Sequence, residues 1–406
     1  MQKSIPSRQA SFAILLAILI FGIGFWFRYS PRFAGAYGAG HDERLYSGFV
    51  DQLRSGSSYP EFVQSYLAFE KDIPEKRVSP LRSTYLLATW SLSKLHSDSS
   101  FELLRDISFL ASLASMAVAG LFARRVGGTA AGLAVLALMA CAPLQIFNAH
   151  RALLDGFFSL LTMLTLWSLW ECLENPKNRT LLWLHGISWI PLVMAKETSF
   201  FVWTSVILIL IFVKDKDGEK AGRYLWLSSL FGAAAGFVGL TVLCGGPGPM
   251  KELLDIALHK QLSDYTVFHA DGPSFGYLLA IVTLSPLVSL FALAAMVGPG
   301  LYDRCGRFMA LSIIGMLAPL AALPYQIVPR LLATCDLSLR WLCWLQLTWI
   351  CKDWKSPWRP IALIGSLLGI CLLEVRQHHI LFQTYLIYEP TCDVLFQALK
   401  LVKWTQ

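Results

Sequence analysis

The sequence has few charged residues for its length. Only 15% of its 406 residues are Asp, Glu, Lys or Arg, whereas 55% are hydrophobic. A soluble globular domain usually has about 25% charged residues. The apolar residues are also grouped into runs close to the ~20 residues that a helix needs to span a bilayer. This composition excludes an ordinary soluble domain and predicts an all-α polytopic membrane protein.

Paired cysteines, internal repeats and low-complexity segments are also missing. The nine cysteines show no CxxC spacing, and most of them lie inside apolar runs, as Cys141, Cys172, Cys343 and Cys371 do. A thiol in such a run behaves as a small hydrophobic group. The sequence therefore predicts neither a disulfide framework nor a metal–thiolate cluster.

The apolar runs predict about eleven membrane-spanning helices. Residues 11–27 resemble a signal peptide, but no small-residue cleavage site follows them, so we interpret them as a retained first helix. "AKETS" at residues 195–199 is too polar for the middle of a bilayer and separates the fifth and sixth helices. In chain order, the predicted spans are 11–27, 105–123, 129–147, 153–171, 180–195, 198–213, 224–245, 275–298, 306–324, 331–351 and 360–375.

Basic residues alternate along the chain, and this alternation predicts the orientation in the membrane. Every predicted inner loop has at least two Lys or Arg residues, such as Arg124 and Arg125. The short outer turns have about one each, at Arg151, Lys196 and Arg330. Basic loops mark the cytoplasmic side of a membrane protein. The net charge of +7 is therefore explained by these loops, and we expect no nucleic-acid partner. We expect a bacterial inner-membrane protein with a cytoplasmic N-terminus and an outer C-terminus.

The predicted organisation is one transmembrane domain at residues 1–375 and a short outer tail at residues 376–406. Two long segments of the domain, 28–104 and 246–274, are predicted to lie on the outer side. Amphipathic or short apolar stretches within them are typical of helices that lie along a membrane surface. These stretches are 42–53, 81–95 and 251–262.

Adjacent carboxylates stand where the chain leaves its first span, in "GHDERLYSGF" at residues 40–49. Asp42 and Glu43 can be the acidic first turn of a helix that begins after Gly40, where they complement the helix dipole. They can also be catalytic, because a carboxylate can take a proton from an incoming hydroxyl group. The local sequence leaves both interpretations open.

Two further outer turns contain acid–base pairs. Arg151 and Asp155 in "NAHRALLDGFF" are four residues apart, so we expect them to share a helix face and form an ion pair. Lys196 and Glu197 follow the fifth span. A loop salt bridge and a snorkelling lysine would explain these residues equally well, but ionisable groups at membrane depth usually line a cavity or a pathway.

The predicted topology brings all three outer turns to one side of the membrane. Carboxylates and cations that converge there suit acid–base chemistry beside an anionic lipid headgroup. The cations would hold the phosphate, and a carboxylate would take a proton from the incoming hydroxyl group.

In these segments the sequence resembles the GT-C class of membrane glycosyltransferases, near the protein O-mannosyltransferase and aminoarabinose transferase group. The resemblance covers residues 10–215 well and the remainder loosely. The similar segments, in chain order, are "DERLY", "SPLRSTYLL", "FELLRDISFL", "ARRVGG", "RALLDGFFSL", "PLVMAKETSFF" and "IVPRLLATC".

The resemblance implies a GT-C-like fold and a transferase that takes a sugar from a polyprenyl-phosphate donor on the outer face and inverts the anomeric centre. It also implies that Asp42 is the catalytic base. Glu43 would then orient the acceptor or bind a metal. Asp155 would orient Arg151, with Glu197 and His269 as supporting residues. The residues expected to bind the donor phosphate are Arg151, Lys196, Arg330 and Arg77.

The sequence departs from the family pattern at the donor site. Val78 stands where the aminoarabinose enzymes have a lysine directly before "PPL", and Ser79 replaces the first proline. The nearest cations are Lys76 and Arg77, and Leu331 stands where the family has a tyrosine.

The expected partners are a polyprenyl-phosphate sugar and membrane lipids, and the acceptor stays open among protein, glycan and lipid. No cofactor is required, although a divalent metal is an option because His41, Asp42, Glu43 and the pair His378–His379 could supply ligands. One alternative function is a transporter or flippase for a lipid-linked anion, against which we see no pair of Gly- or Pro-broken helices in the two halves. The other is a non-catalytic subunit with the same fold.

The predicted orientation can be tested with single added cysteines and an impermeant thiol reagent. We expect Ser57→Cys and Asp264→Cys to react from the outer side and Asp217→Cys not to react, with the unmodified chain measuring the labelling of native thiols. Equal labelling at all three positions would rule out this topology.

Overall fold

The computed structural model describes residues 7–34, 40–72, 79–220, 222–259, 276–322 and 329–385. Within these ranges the chain forms seventeen α-helices and no β-strand, so the all-α prediction is confirmed. Two 3₁₀ turns, Pro31–Phe33 and Pro329–Cys335, and one π-helical turn, His379–Thr384, complete the regular structure.

The helices are numbered here in chain order within the described residues. They are α1 (Ser7–Tyr29), α2 (His41–Arg54), α3 (Tyr59–Asp72), α4 (Ser83–Leu92), α5 (Ser100–Ala140), α6 (Pro143–Ala149), α7 (Asp155–Glu174), α8 (Arg179–Ala195), α9 (Ser199–Phe212), α10 (Arg223–Leu243), α11 (Pro247–His259), α12 (Gly276–Leu284), α13 (Pro286–Val297), α14 (Pro299–Tyr302), α15 (Arg304–Ala321), α16 (Asp336–Ile350) and α17 (Trp358–His378).

Six helical stretches of the described chain are long and apolar enough to cross a membrane. They lie in α1, α5, α7, α10, α15 and α17, and the apolar helices α9 and α13 are shorter. These helices make the chain an integral membrane protein. The exact number of eleven spans stays a prediction.

Helix α5 is broken at a glycine. A straight helix of its 41 residues would be about 60 Å long, which is twice the ~30 Å hydrocarbon core of a bilayer. Gly128 interrupts it with φ +78° and ψ −173°, a conformation that glycine adopts without a steric penalty. A Cβ atom on Gly120 would lie 3.1 Å from the Leu136 Cβ, so the two halves pack on each other. The predicted spans 105–123 and 129–147 correspond to these halves.

The predicted span at residues 275–298 contains a break between two helices. Helix α12 ends at Leu284 and α13 begins at Pro286, with Ser285 between them in a non-helical conformation (φ −141°, ψ 70°). Proline at the first position of a helix lacks the N–H group that would continue the preceding turn. The Ser285 hydroxyl group donates instead to Glu374 Oε2 at 2.9 Å.

Other predicted boundaries shift by less. The chain does leave the helix at "AKETS", between α8 and α9. The predicted span 331–351 begins with the Pro329–Cys335 turn, and only α16 within it is α-helical. Helix α17 continues to His378, beyond the predicted end at residue 375. Residues 386–406 of the predicted tail lie outside the described ranges.

The described parts of segments 28–104 and 246–274 form four short helices, and three of them form in the predicted amphipathic or short apolar stretches. Helices α2, α4 and α11 form in stretches 42–53, 81–95 and 251–262, whereas α3 was not expected. Helix α2 buries Tyr46, Phe49, Val50 and Leu53 and contacts α4 and α5. This packing fixes the start of α2 on the helical bundle.

Glycines permit close helix contacts in two places. A Cβ atom on Gly315 of α15 would overlap the backbone of Ser205 in α9, and one on Gly232 of α10 would overlap the Gly186 carbonyl group in α8. Small residues at such crossings let membrane helices approach closely. The Ser205 hydroxyl group also donates to the Ser312 carbonyl oxygen at 2.8 Å.

We expect Gly315→Ala to destabilise the protein, because the added methyl group forces α9 and α15 apart. Overpacking of this kind typically costs about 1–3 kcal/mol. Gly369→Ala in α17 is the matched control, since a Cβ atom there meets nothing within 4 Å. The measurement is the thermal unfolding midpoint of each purified variant in one detergent. Equal midpoints for the two variants would contradict the tight α9–α15 contact.

Candidate functional site

Charged side chains from five chain segments meet at one end of the helical bundle. They lie where α2, α4 and α7 begin, in the turn after α8, and at the start of the Pro329–Cys335 turn. We refer to these residues as the charged cluster: Asp42, Glu43, Arg82, Arg151, Asp155, Lys196, Glu197 and Arg330. All the site residues predicted from the sequence belong to it, except Arg77 and His269, which lie outside the described residues.

Asp155 is the centre of this cluster. Its Oδ1 accepts a hydrogen bond from Lys196 Nζ at 2.6 Å, and its Oδ2 lies 3.1 Å from Arg330 Nε. Arg330 also pairs with Asp42 through Nη2. One continuous series of ion pairs, Lys196–Asp155–Arg330–Asp42, therefore connects the ends of α8 and α7, the Pro329–Cys335 turn and the start of α2.

Glu43 fastens the start of α2 to the segment before α7. Its Oε1 accepts from the Ala152 N–H group at 2.8 Å, and its Oε2 accepts from the Gly40 N–H group at 2.7 Å and from Arg151 Nη2 at 2.5 Å. The carboxylate is 1% exposed. A buried carboxylate that accepts three hydrogen bonds stabilises the contact between its own segment and the segments of its donors.

The expected ion pair between Arg151 and Asp155 is wrong. Helix α7 begins only at Asp155, so the four residues from Arg151 to Leu154 do not make a helical turn, and the i,i+4 relationship is lost. Arg151 pairs with Glu43, whereas Asp155 pairs with Lys196 and Arg330. Because the two residues do not pair, Asp155 does not orient Arg151 as expected.

Arg82 is a member of the cluster that the sequence analysis missed. It directly precedes α4, and its guanidinium donates to the Tyr46 hydroxyl group through Nη1 and lies 3.2 Å from Glu197 Oε1 through Nη2. Its Cζ stands 5.6 Å from the centre of the Tyr46 ring. The signal was a cation inside the family-like segment "SPLRSTYLL", three residues after Ser79.

The cluster balances four carboxylates against four cations, all buried except Glu197. Burial lowers the pKa of Lys196 below its ordinary value, since removal from water disfavours the charged ammonium group. The Asp155 carboxylate raises this pKa, and the positive charges of Arg82 and Arg330 lower it. Arg82 and Arg330 therefore both act on Lys196, which identifies one shared electrostatic environment.

The candidate metal ligands do not converge. Among the described residues, no three His, Cys, Asp or Glu side chains stand close enough together to hold a metal ion. His378 is buried and its ring nitrogens face the Pro143 and Phe33 carbonyl oxygens, whereas His379 pairs with Gln383. Both residues therefore have hydrogen-bond partners other than the carboxylates of Asp42 and Glu43.

A second buried ion-pair network lies further into the bundle, and the sequence analysis did not predict it. Arg340 of α16 pairs with Asp336 at 2.5 Å and with Glu374 of α17 at 3.1 Å. Gln145 Nε2 donates to Asp336 at 2.9 Å and lies 3.2 Å from the Ser159 hydroxyl group of α7. Ser159 is one helical turn from Asp155, so Gln145 links this network to the helix that carries the cluster centre.

The helical bundle also contains an apolar groove. It has a volume of about 320 Å³ and lies between α12, α13, α15 and α16. Leu317 of α15 lines both this groove and a narrow gap that is bounded by Thr198 and Leu331. Thr198 and Leu331 are near neighbours of Lys196 and Arg330 in the sequence, so this gap lies close along the chain to two members of the charged cluster.

Comparison with known proteins gives a fold but no sequence family. No protein-family model matches the chain, and no curated protein is significantly similar to it. ArnT from Cupriavidus metallidurans in its apo state matches with a TM-score of 0.56 and 12% identity, over 97% of this chain and 76% of ArnT. ArnT bound to undecaprenyl phosphate matches with a TM-score of 0.53 and 14% identity, over 97% of this chain and 78% of ArnT.

The archaeal oligosaccharyltransferase AglB from Archaeoglobus fulgidus also shares the fold. In its complex with an inhibitory peptide and a dolichol-phosphate it matches with a TM-score of 0.60 and 10% identity, over 92% of this chain. This chain spans 56% of AglB. The predicted GT-C-like fold is therefore confirmed. The narrower likeness to protein O-mannosyltransferases stays a prediction.

Glu43→Gln and Arg151→Gln should each lower the thermal stability strongly, because removing one partner of a buried ion pair leaves the other uncompensated at a cost of about 3–5 kcal/mol. In a double-mutant cycle, we expect a coupling energy of about 0.5–3 kcal/mol. The exposed pair of Arg125 and Glu171, at 3.1 Å, is the control and should couple by about 0–1 kcal/mol. Additive effects at Glu43 and Arg151 would show that this contact does not fasten α2.

Proposed function

We propose that this chain is an integral membrane glycosyltransferase that transfers a sugar from a polyprenyl-phosphate donor to an acceptor hydroxyl group. The observation that carries the proposal is the Lys196–Asp155–Arg330–Asp42 series, which holds a carboxylate beside cations at one end of a GT-C-like bundle. The acceptor can be a protein, a glycan or a lipid. The alternating basic loops support a site on the outer face of a bacterial inner membrane, with the N-terminus in the cytoplasm.

In the proposed reaction the acceptor oxygen attacks the anomeric carbon while the bond from that carbon to the phosphate oxygen breaks. Asp42 takes the acceptor proton, and the electron pair of the broken bond leaves with the polyprenyl phosphate. One in-line displacement inverts the anomeric centre. The cluster cations stabilise the charge that develops on the departing phosphate, in a site where water is scarce and such interactions are strong.

The neighbouring structures support this class of donor. ArnT has been crystallised with undecaprenyl phosphate, and AglB with a dolichol-phosphate and an inhibitory peptide. Both lipids combine a long apolar chain with a phosphate group. In this chain the charged cluster suits the phosphate, and the apolar surface around Leu317 suits the first isoprene units.

The proposal assigns no cofactor, because the cations of the chain can supply the positive charge that the leaving phosphate needs. A divalent metal is the alternative, and Asp42 would be its ligand. Glu43 is a poor second ligand, since hydrogen-bond donors already approach both of its carboxylate oxygens. Unchanged turnover in the presence of a metal chelator would support a reaction that needs no metal ion.

A transporter or flippase for a lipid-linked anion is the second candidate. The network of Arg340, Asp336 and Glu374 inside the bundle and the helix break at Ser285 favour it, because transporters place charges and broken helices at membrane depth. Release of polyprenyl phosphate by the purified chain separates the two functions, and it also separates an enzyme from a non-catalytic subunit.

Asp42→Asn should lower the rate of transfer by about 10²–10⁴-fold, since asparagine is nearly isosteric but cannot accept the acceptor proton. Gly40 is the N-cap of α2, so α2 should still begin correctly. The substitution also removes the negative charge that pairs with the buried Arg330, so we expect a lower unfolding midpoint, and turnover is compared at a temperature where both proteins are folded. The measurement is release of polyprenyl phosphate by the full chain in one detergent, with donor affinity determined in parallel.

Asp98→Asn is the matched control, because Asp98 is an exposed aspartate of the loop before α5 and has no place in the charged cluster. Its turnover should equal that of the wild type. An Asp42→Asn variant with normal turnover would show that Asp42 only starts a helix.

A further inference from the structure

We propose that Arg82 binds the donor phosphate and that Glu197 holds Arg82 until the phosphate displaces it. This inference rests on the proposed function and adds to it a residue outside the set expected from the sequence. Among the four cations of the cluster, Arg82 can change its partner at the lowest free-energy cost.

Three of the four cations are held by buried carboxylates. Arg151 is held by Glu43, which is 1% exposed, and Lys196 and Arg330 share Asp155, which is 4% exposed. Withdrawing Arg151 towards a ligand would take the cation away from the buried Glu43 carboxylate, and withdrawing Lys196 or Arg330 would remove one of the two cations that Asp155 contacts. Each loss is costly in a low-dielectric environment. These pairs therefore keep the site assembled.

The pair of Arg82 and Glu197 is different. The Glu197 side chain is 35% exposed, and its Oε1 lies 3.2 Å from Arg82 Nη2. Water can solvate a partly exposed carboxylate when its cationic partner leaves. Ion pairs that are exposed to solvent therefore contribute little to stability. Arg82 is therefore the cation that an incoming anion can engage most easily.

The Nε–Nη2 edge of the Arg82 guanidinium is suited to binding a phosphate. Within the described part of the chain, Arg82 Nε is buried and has no hydrogen-bond partner, which leaves the desolvation of this N–H group uncompensated. Nε and Nη2 form one edge of the guanidinium, and Glu197 contacts only Nη2. A phosphate can bridge both nitrogens in a bidentate pair, so it would replace Glu197 and satisfy Nε together.

Tyr46 positions this edge beside the proposed base. Its hydroxyl group accepts from Arg82 Nη1, on the opposite side of the guanidinium. Tyr46 and Asp42 are four residues apart on α2 and share one helix face. A phosphate on Arg82 would therefore lie next to Asp42, which the in-line reaction needs.

The experiment compares binding of undecaprenyl phosphate to the full chain in detergent, measured by native mass spectrometry and titration. Arg82→Gln should bind the lipid about 10–100-fold more weakly, which corresponds to the loss of one charge-assisted bidentate contact. Arg82→Lys should bind the lipid with intermediate affinity, because lysine keeps the positive charge but cannot donate two parallel hydrogen bonds to one phosphate. Glu197→Gln should bind the lipid several-fold more tightly, and this gain should vanish in the Arg82→Gln background.

Misfolding cannot produce a gain in lipid affinity, so tighter binding by Glu197→Gln would not be explained by damage to the fold. Undecaprenol, which lacks the phosphate, should bind the wild type and Arg82→Gln equally. If inorganic phosphate alone bound as tightly as undecaprenyl phosphate, with the same dependence on Arg82, a free-phosphate site would replace the lipid assignment.

Two results would overturn the inference in distinguishable ways. Equal binding of undecaprenyl phosphate by wild type and Arg82→Gln, or weaker binding by Glu197→Gln, would refute the role of Arg82 and leave the proposed function standing. A wild-type chain that binds no undecaprenyl phosphate would refute both.

Discussion

Burying opposite charges together is the constraint on which the rest of this site depends. A single ion taken out of water is strongly destabilised, so each buried carboxylate needs a cation and hydrogen-bond donors beside it. Asp155 meets this need by contacting Lys196 and Arg330 from two different segments. These contacts fix the relative positions of α7, the end of α8 and the Pro329–Cys335 turn, and Arg330 extends them to Asp42 on α2.

The pairs within the cluster divide the work between assembly and chemistry. Glu43 and Arg151 form a closed contact whose partners are both buried, so it stabilises the architecture around Asp42. The Arg82–Glu197 pair reaches the surface of the cluster, so its partners can exchange with a ligand. Asp42 and Glu43 are adjacent in sequence but point about 100° apart on the helix, which explains how neighbours acquire different roles.

Interruptions of helices place the polar groups of the bundle. The breaks at Gly128 and Ser285 and the 3₁₀ turn before Asp336 leave backbone groups that a regular helix would have used. The network of Arg340, Asp336 and Glu374 surrounds two of these interruptions. Backbone of this kind is tolerated at membrane depth only where protein groups or a cavity satisfy it. Arg340 contributes to this by donating to the carbonyl oxygens of Leu138 and Asp336.

The sequence by itself determined the class of the protein, the order of its apolar helices, the short helices α2, α4 and α11, and most members of the charged cluster. Length, hydropathy and charge are local properties, and they suffice for these conclusions. Only the tertiary structure decided the pairing, because partners such as Glu43 and Arg151 are more than a hundred residues apart. The sequence favoured Arg151 with Asp155 by spacing alone. It placed Arg82 in a family-like segment, but the contacts of Arg82 with Tyr46 and Glu197 exist only in the folded chain.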